Sequence, residues 1–385
     1  MKLRLIATAV FGLEAIVAQE IKDLGFENVI TENGRVLFDS DAAGLVKANL
    51  WIRTAERIFL CVGQFKAKTF EQLFQGVTAL PWEAYIPKDA AFPVDANSVK
   101  STLFSLSDIQ SISKKAIVKR LVKLHKTEWF EETGETYRIR VSILKDEVTV
   151  AIDTSGTGLH RRGYREKANE APLKETLAAG LIAVSKWTPD RPFIDPFCGS
   201  GTLVIEAAMK AKNIAPGLNR QFDCEKWRWI PSELWKASRK EAYEAIEQTL
   251  DIQLEGYDID PKAVEIAREN AELAGVDDII HFQVRDIRDF STKKQYGTIL
   301  CNPPYGERLN DIKEVEKLVF TMGQVFDKYP TWSKYILTAF EAFETFYGQK
   351  ATKNRKLYNG RIKTHFYMYF GARPPRKNVT SEEAR

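Results

Sequence analysis

The first half of the chain changes hydrophobic period several times. Leu3–Thr8 reads as a strand, and Leu13–Leu24 as a helix closed by Gly25. Val36–Asp39 reads as a short strand, and Ala42–Asn49 and Thr69–Leu80 as helices. Asp108–Lys126 predicts a longer helix with an apolar stripe of Ile109, Ile112, Ala116, Leu121 and Leu124. Further on, Tyr137, Ile139, Val141 and Ile143 alternate with Arg138, Arg140 and Ser142. That period of two predicts a hairpin of Tyr137–Leu144 and Val148–Ile152 around Lys145-Asp146-Glu147.

From about Ala171 the pattern becomes a regular alternation. Helices at Leu173–Lys186, Thr202–Lys212, Pro261–Ala274 and Val315–Lys328 alternate with shorter apolar runs. Those runs are Phe193–Asp195, Leu254–Tyr257, Ile279–Val284, Thr298–Cys301 and Tyr335–Thr338. Asn359-Gly360 marks a hairpin turn or a bend in a longer loop before the strand His365–Phe370. Such alternation implies a mostly parallel sheet covered on both faces, with ligands beyond the C-terminal strand ends.

Length and composition narrow the class. A chain of 385 residues, 44% hydrophobic and 28% charged, predicts a globular protein of two or three domains. No apolar run is long enough to span a bilayer, and Met1–Val10 reads as a first strand, not a signal peptide. The four cysteines and four histidines have no ligand spacing, so no metal site is expected and a reducing cytoplasm fits. A net charge of +4 does not by itself establish a polyanionic partner. Its distribution is more informative. Lys115, Lys119, Lys123 and Lys126 line one face of the long helix, as phosphate contacts or as a solvated face. His160, Arg161, Arg162, Arg165 and Lys167 form a basic connector, read as an RNA contact against the plainer alternative of a polar linker.

Four short motifs fall at predicted strand ends. Asp195-Pro196-Phe197-Cys198-Gly199-Ser200-Gly201-Thr202 offers a tight glycine turn behind an acid. It lacks the later glycine of a dinucleotide fingerprint. The motif fits S-adenosylmethionine, whose ammonium or sulfonium Asp195 can face; the plain alternative is a strand-to-helix turn. In Gly256-Tyr257-Asp258-Ile259-Asp260-Pro261, Asp258 suits ribose hydroxyls and Ile259 an adenine face, while Asp260 caps the next helix. Asp286 either accepts from an adenine amino group or pairs with Arg285 or Arg288. In Asn302-Pro303-Pro304-Tyr305, Asn302 and the Pro303 carbonyl can each accept a proton of a nucleobase amino group. Its nitrogen then moves towards sp3 geometry, its lone pair aimed at a methyl donor. Tyr305 offers a ring for an extruded base, or merely packs. About sixty residues separate Asp195 from Asp258, where about twenty is usual, so Asn213–Asp251 is an insertion. Its Trp227, Trp229 and Trp235 cover the substrate face or pack a helical elaboration.

The motifs D-P-F-C-G-S-G-T, G-Y-D-I-D and N-P-P-Y-G-E-R-L, in that order, resemble those of class I S-adenosylmethionine-dependent nucleic-acid methyltransferases. The stretch Thr154–Ala179 resembles a narrower group, the THUMP-domain RNA methyltransferases that make N2-methylguanosine in large-subunit ribosomal RNA. The resemblance implies an α/β C-terminal Rossmann-like class I methyltransferase with a mostly parallel seven-stranded sheet. Ferredoxin-like and THUMP α+β domains precede it. The expected boundaries are 1–56 ferredoxin-like, 57–153 THUMP, 154–170 basic linker, 171–375 methyltransferase and 376–385 tail. Expected cofactor contacts are Asp195, Phe197, Gly199, Ser200, Gly201, Thr202, Asp258, Ile259, Asp286, Ile287 and Asn302. Asn302, Pro303, Pro304 and Tyr305 would hold the base, and the segment Pro172–Thr176 would help close the cofactor pocket. Lys115, Lys119, Lys123, Arg161, Arg162 and Arg165 would meet ribosomal RNA. The chain stops after one catalytic domain, unlike longer fused relatives. Transfer-RNA guanine N2 and adenine N6 in RNA or DNA remain alternative targets, because the same tetrapeptide serves both amino groups.

Overall fold

The computed structural model describes residues 2–127, 129–165, 173–306 and 309–375. Contacts divide the chain into two units. One holds the residues up to Arg162 together with Ala215–Ala245; the other holds Gly163–Ile214 and the residues from Ile246 onward. Lys167, Pro172 and the 376–385 tail lie outside the described residues.

The first unit begins β1 (Leu3–Thr8), α1 (Glu14–Asp23), β2 (Glu27–Glu32), β3 (Arg35–Ser40), α2 (Ala42–Trp51) and β4 (Arg57–Lys66). It continues with α3 (Phe70–Ala79), β5 (Val94–Val99), α4 (Leu106–His125), β6 (Ile139–Leu144) and β7 (Glu147–Asp153). All seven strands join one sheet in the order β2-β3-β1-β4-β7-β6-β5. The long strand β4 makes this possible. Its start pairs with β1, Arg57 opposite Thr8, and its remainder pairs with β7 as far as Lys66 opposite Glu147. One face is apolar: Leu5, Phe38, Ile58, Val141 and Val150 pack with Val17, Leu45, Leu73 and Ile109 of the helices. The other face carries a separate small cluster of Ile6, Leu37, Phe59 and Ala151.

Local signals explain several boundaries. Gly25 follows α1 at φ 86°, and the Phe26 N–H reaches back to the Ile21 carbonyl, closing the helix. β6 and β7 are joined by Lys145 and Asp146 at φ 52° and 65°, a left-handed pair that matches strand twist. The Asp146 carboxylate stabilises this turn by accepting from the Thr102 N–H at 2.7 Å. The stripe of α4 differs from expectation. Leu124 is 44% exposed, whereas Ile117 is fully buried, because the helix presents Ile109, Ser113, Ala116, Ile117 and Leu121 inward.

Most of the insertion, Ala215–Ala245, belongs to the first unit. Its helix α7 (Ser232–Glu244) packs on α2. Trp227 stacks on Tyr137 at 4.7 Å, and its indole N–H donates to the Thr136 carbonyl at 3.1 Å. Phe222 stacks on Trp235, and the Gly217 N–H donates to the Leu50 carbonyl at 2.9 Å. The helical packing expected of this segment is present in the fold.

The second unit is wound around a different sheet. Its elements are α5 (Glu175–Ser185), β8 (Phe193–Asp195), α6 (Thr202–Ala211), β9 (Leu254–Asp258), α8 (Pro261–Ala274), β10 (Ile280–Val284) and β11 (Thr298–Cys301). They are followed by α9 (Leu309–Asp327), β12 (Ser333–Thr338), α10 (Phe343–Tyr347), β13 (Lys353–Asn359) and β14 (Ile362–Tyr369). The strand order is β10-β9-β8-β11-β12-β14-β13. Five strands run parallel, and the β13–β14 hairpin joins β12 antiparallel. The expected hairpin is present, but its turn lies one residue later: Asn359 ends β13 opposite Ile362, and the chain turns on Gly360, φ 62°, and Arg361. Ile299, Cys301 and Ile336 pack with Val319, Met322 and Phe326 of α9. On the opposite face the Tyr335 hydroxyl donates to the Ser185 carbonyl at the end of α5.

Candidate active site

The winding direction reverses between β8 and β11. From β8 the chain moves to β9 and β10 on one side, then returns to β11 and β12 on the other. Such a reversal opens a crevice at the C-terminal strand ends, where ligands bind in this architecture. All four motifs sit there, after β8, β9, β10 and β11, four neighbouring strands.

The glycine loop after β8 is fastened to β9. The Cys198 N–H donates to the Tyr257 carbonyl at 2.8 Å, and the Gly199 N–H donates to Asp258 Oδ2 at 2.8 Å. Gly199 lies at φ 53° with open space where a Cβ would stand. Gly201 lies at φ 85°, where a Cβ would come within 3.1 Å of Ile205, Ala267 and Phe282. The second glycine therefore permits α6 to pack closely, and the first leaves a bare backbone facing free space.

Asp195 is 1% exposed, and its Oδ1 accepts from the Phe197 N–H at 3.0 Å. Burial pushes its carboxyl well above the usual carboxylate range, and the charge of Asp258 adds to the rise. A cationic group beside it would hold it ionised. Asp258 is half-buried, and its Oδ1 accepts from the Asp260 N–H at 3.0 Å. Each of its oxygens keeps acceptor capacity for a ribose hydroxyl. Asp260 caps α8 by accepting from the Lys262 N–H. Ile259, expected to cover an adenine face, is an apolar side chain left 66% exposed next to Asp258 and Asp260.

Asp286 has the plainer of its two expected partners. Arg288 gives it three donors at 2.7–2.9 Å, and this grip lowers its carboxyl to about 2. Arg285 instead lies over the Tyr257 ring at 4.7 Å. Ile287 is buried.

The Asn302 loop leaves β11, the neighbour of β8. Pro303 is buried, Pro304 exposed, and Asn302 and Tyr305 half-buried. The Tyr305 hydroxyl donates to Asn302 Oδ1. Burial raises the Tyr305 phenol above its ordinary range, so it remains a donor. The acceptor expected to receive a base amino proton thus already holds an O–H donor from its own loop.

The basic residues separate into two groups. Lys115, Lys119 and Lys123 are exposed on α4 and make no ion pair among the described residues; Arg161 is also exposed. Arg162 and Arg165 correct the expected RNA-facing set. Arg162 is 3% exposed and donates to the Leu159 and Arg53 carbonyls. Arg165 pairs with buried Glu175 at 3.4 Å and donates to the Leu173 carbonyl and the Thr202 hydroxyl. Both guanidinium groups are held by partners within their own folding unit. Thr202, expected at the cofactor, has its hydroxyl engaged in that cluster. Glu175 itself was not singled out from sequence, although a carboxylate in the first turn of an almost wholly apolar helix requires a cation. Asn270 was also missed: its amide donates to the Ser200 carbonyl at 3.0 Å and steadies the glycine loop from α8.

This seven-stranded, mostly parallel sheet, with acids and a glycine loop at its switch point, defines a class I methyltransferase. Comparison with known proteins narrows the class. Residues 162–368 match the family described as RMKL-like, methyltransferase domain. Residues 4–59 match the RlmL ferredoxin-like domain, and 67–153 match the THUMP domain. The chain is 51% identical over 382 residues to "Putative RNA methyltransferase YpsC" of Bacillus subtilis strain 168, covering 98% of this chain and 99% of that one. It is 36% identical over 364 residues to ribosomal RNA large subunit methyltransferase K/L of Psychromonas ingrahamii, covering 91% of this chain and 48% of that protein. The chain therefore spans about half the length of that relative. Among solved structures, SMU.472, titled "a putative methyltransferase complexed with SAH", superposes with a TM-score of 0.91 at 46% identity, over 97% of this chain and 99% of that one. The chain belongs to the RMKL-like methyltransferase family, and its cofactor is S-adenosylmethionine.

Proposed function

We propose that this enzyme methylates the N2 amino group of a guanine in large-subunit ribosomal RNA. The observation that carries the proposal is Asn302-Pro303-Pro304-Tyr305 at the end of β11, on the strand beside the Asp195 glycine loop. A THUMP segment and a relative named for large-subunit ribosomal RNA support RNA as the acceptor.

S-adenosylmethionine supplies a methyl group on a cationic sulfonium, so the leaving group is already good. The protein's task is positioning and exclusion of water. Buried Asp195 would hold the ammonium, Asp258 the ribose, and Ile259 would cover the adenine. A guanine extruded from the RNA presents its amino group to Asn302 Oδ1 and the Pro303 carbonyl. Its N–H replaces the Tyr305 O–H on Asn302, which frees the tyrosine ring to stack on the base. The two accepted protons turn the nitrogen lone pair towards the methyl. As the N–C bond forms and the S–C bond breaks, the nitrogen becomes acidic, and its extra proton passes by way of the Asn302 or Pro303 oxygen to water, so no strong base is required.

The test is transfer of labelled methyl to unmodified ribosomal RNA, transfer RNA and DNA, with nucleosides identified by mass spectrometry. N2-methylguanosine in large-subunit ribosomal RNA is the expected product. N6-methyladenosine, or label in transfer RNA or DNA alone, would overturn the substrate while leaving the methyltransferase assignment intact.

A further inference from the structure

The glycine loop after β8 is fastened by β9, which takes the Cys198 and Gly199 N–H groups, and by Asn270 of α8, which donates to the Ser200 carbonyl. A further anchor comes from outside the motifs. The Arg165 guanidinium donates to the hydroxyl of Thr202, the residue with which α6 leaves the loop. It also donates to the Leu173 carbonyl, just ahead of α5, at 3.1 Å, and pairs with Glu175, the first residue of α5, at 3.4 Å. One nitrogen, Nη2, makes all these contacts, so two chain segments are drawn to a single point within the second unit.

Both segments stand at the crevice end of the sheet. Thr202 follows Gly201 directly. The far end of α5 is at the opposite end, where Trp187, just past the helix, packs on Phe193 at the start of β8 with ring centroids 5.2 Å apart. The start of α5 therefore lies towards the C-terminal strand ends, and Leu173–Thr176 falls in the segment expected to close the cofactor pocket. Apolar packing holds the body of α5 through buried Leu177, Leu181 and Ile182, but such contacts are not directional. The polar cluster adds direction: Glu175 and Thr202 are both buried, so their bonds to Arg165 form in a medium where they are strong. The neighbouring Tyr164 hydroxyl donates to Glu206 at 3.2 Å, one turn further along α6 and away from the loop.

We propose that Arg165 is a positioning residue for the cofactor: it sets the spacing between the start of α5 and the glycine loop, the two segments that would enclose the amino-acid end of S-adenosylmethionine. It acts through Thr202, Leu173 and Glu175 and needs no contact with the cofactor itself. The experiment is calorimetry of S-adenosylhomocysteine binding to the full chain, alongside methyl transfer to unmodified RNA at saturating cofactor. Arg165→Ala is expected to weaken cofactor affinity about tenfold or more, the scale of a lost charge-assisted contact, while turnover at saturating cofactor changes little. Arg165→Lys, which keeps the charge, should recover part of the affinity. Thr202→Val should weaken binding less in the wild-type background and not at all further in Arg165→Ala, since the two side chains act as one unit. Tyr164→Phe should leave affinity nearly unchanged. Wild-type affinity in a cooperatively melting Arg165→Ala protein overturns the proposal. So do equal losses in Arg165→Ala and Tyr164→Phe, which would mark a general loosening of α6. If Arg165→Ala does not fold, Thr202→Val decides alone, and wild-type affinity there overturns the proposal.

Discussion

The two seven-stranded sheets solve opposite problems. The second is mostly parallel, with apolar side chains on both faces, and its motifs lie at four neighbouring strand ends. The first has its helices packed on one face and leaves arginines and an apolar floor on the other. A doubly covered sheet can offer a ligand only its edge of loops, which suits a small cofactor. A singly covered sheet leaves one whole face open. Substitutions should therefore separate, some acting on one unit and some on the other.

The largest expected effect falls on the first unit's stability. Trp227→Ala removes a buried indole stacked on Tyr137 and should cost about 3–5 kcal/mol. Hydrogen exchange at β6 and β7 amides would report it, with S-adenosylhomocysteine affinity by calorimetry unchanged. A comparable loss of cofactor affinity would break the division between the two sheets.

Asn302→Ala should lower turnover by roughly 10²–10³-fold, the scale of removing one positioned polar partner from a transition state. Cofactor affinity should hold within about twofold by the same argument, and equal losses in both would remove the assigned role of Asn302.

Asp195→Asn addresses the buried carboxyl. An acid whose folded pKa is raised is more protonated in the native state, so it reduces stability as pH rises above the ordinary carboxylate range. The asparagine variant should be more stable than the parent at pH 8 without cofactor, by thermal melting. Its cofactor affinity should fall at least about tenfold, as expected for losing a charge-assisted contact. In the parent, affinity should rise with pH as Asp195 ionises, and this slope should vanish in the variant. A slope that persists would move the ammonium contact elsewhere.

The smallest effect is expected from Lys119→Glu on α4. An exposed lysine contacting one phosphate should change ribosomal RNA affinity only a few-fold and shift the salt dependence by about one or two counterions. No change in the salt dependence would mark the ridge as a solvated face.

Much of the second unit was legible. Phe193–Asp195, Pro261–Ala274 and Thr298–Cys301 were read with the boundaries they have, because buried parallel strands and amphipathic helices carry strong patterns. β2, β5 and β13 were not read, and all three are outermost strands of their sheets. Edge strands such as Glu27–Glu32, exposed along nearly all their length, bury too little for alternation to show. β4 was missed for the opposite reason. Ile58–Val62 is a continuous apolar run, since the strand is buried on one face by helices and on the other by the small cluster around Phe59.

The sequence by itself determined the four candidate motifs, their order and their strand-end placement, since each depends on a few adjacent residues. Only the tertiary structure decided which charges are free. Arg162 and Arg165 look like Arg161 in a linear basic cluster, but burial and internal carbonyls or carboxylates take the first two. It also decided where the tryptophans of the insertion go. Charge compensation and packing are properties of neighbours in space, and those neighbours are far apart along the chain.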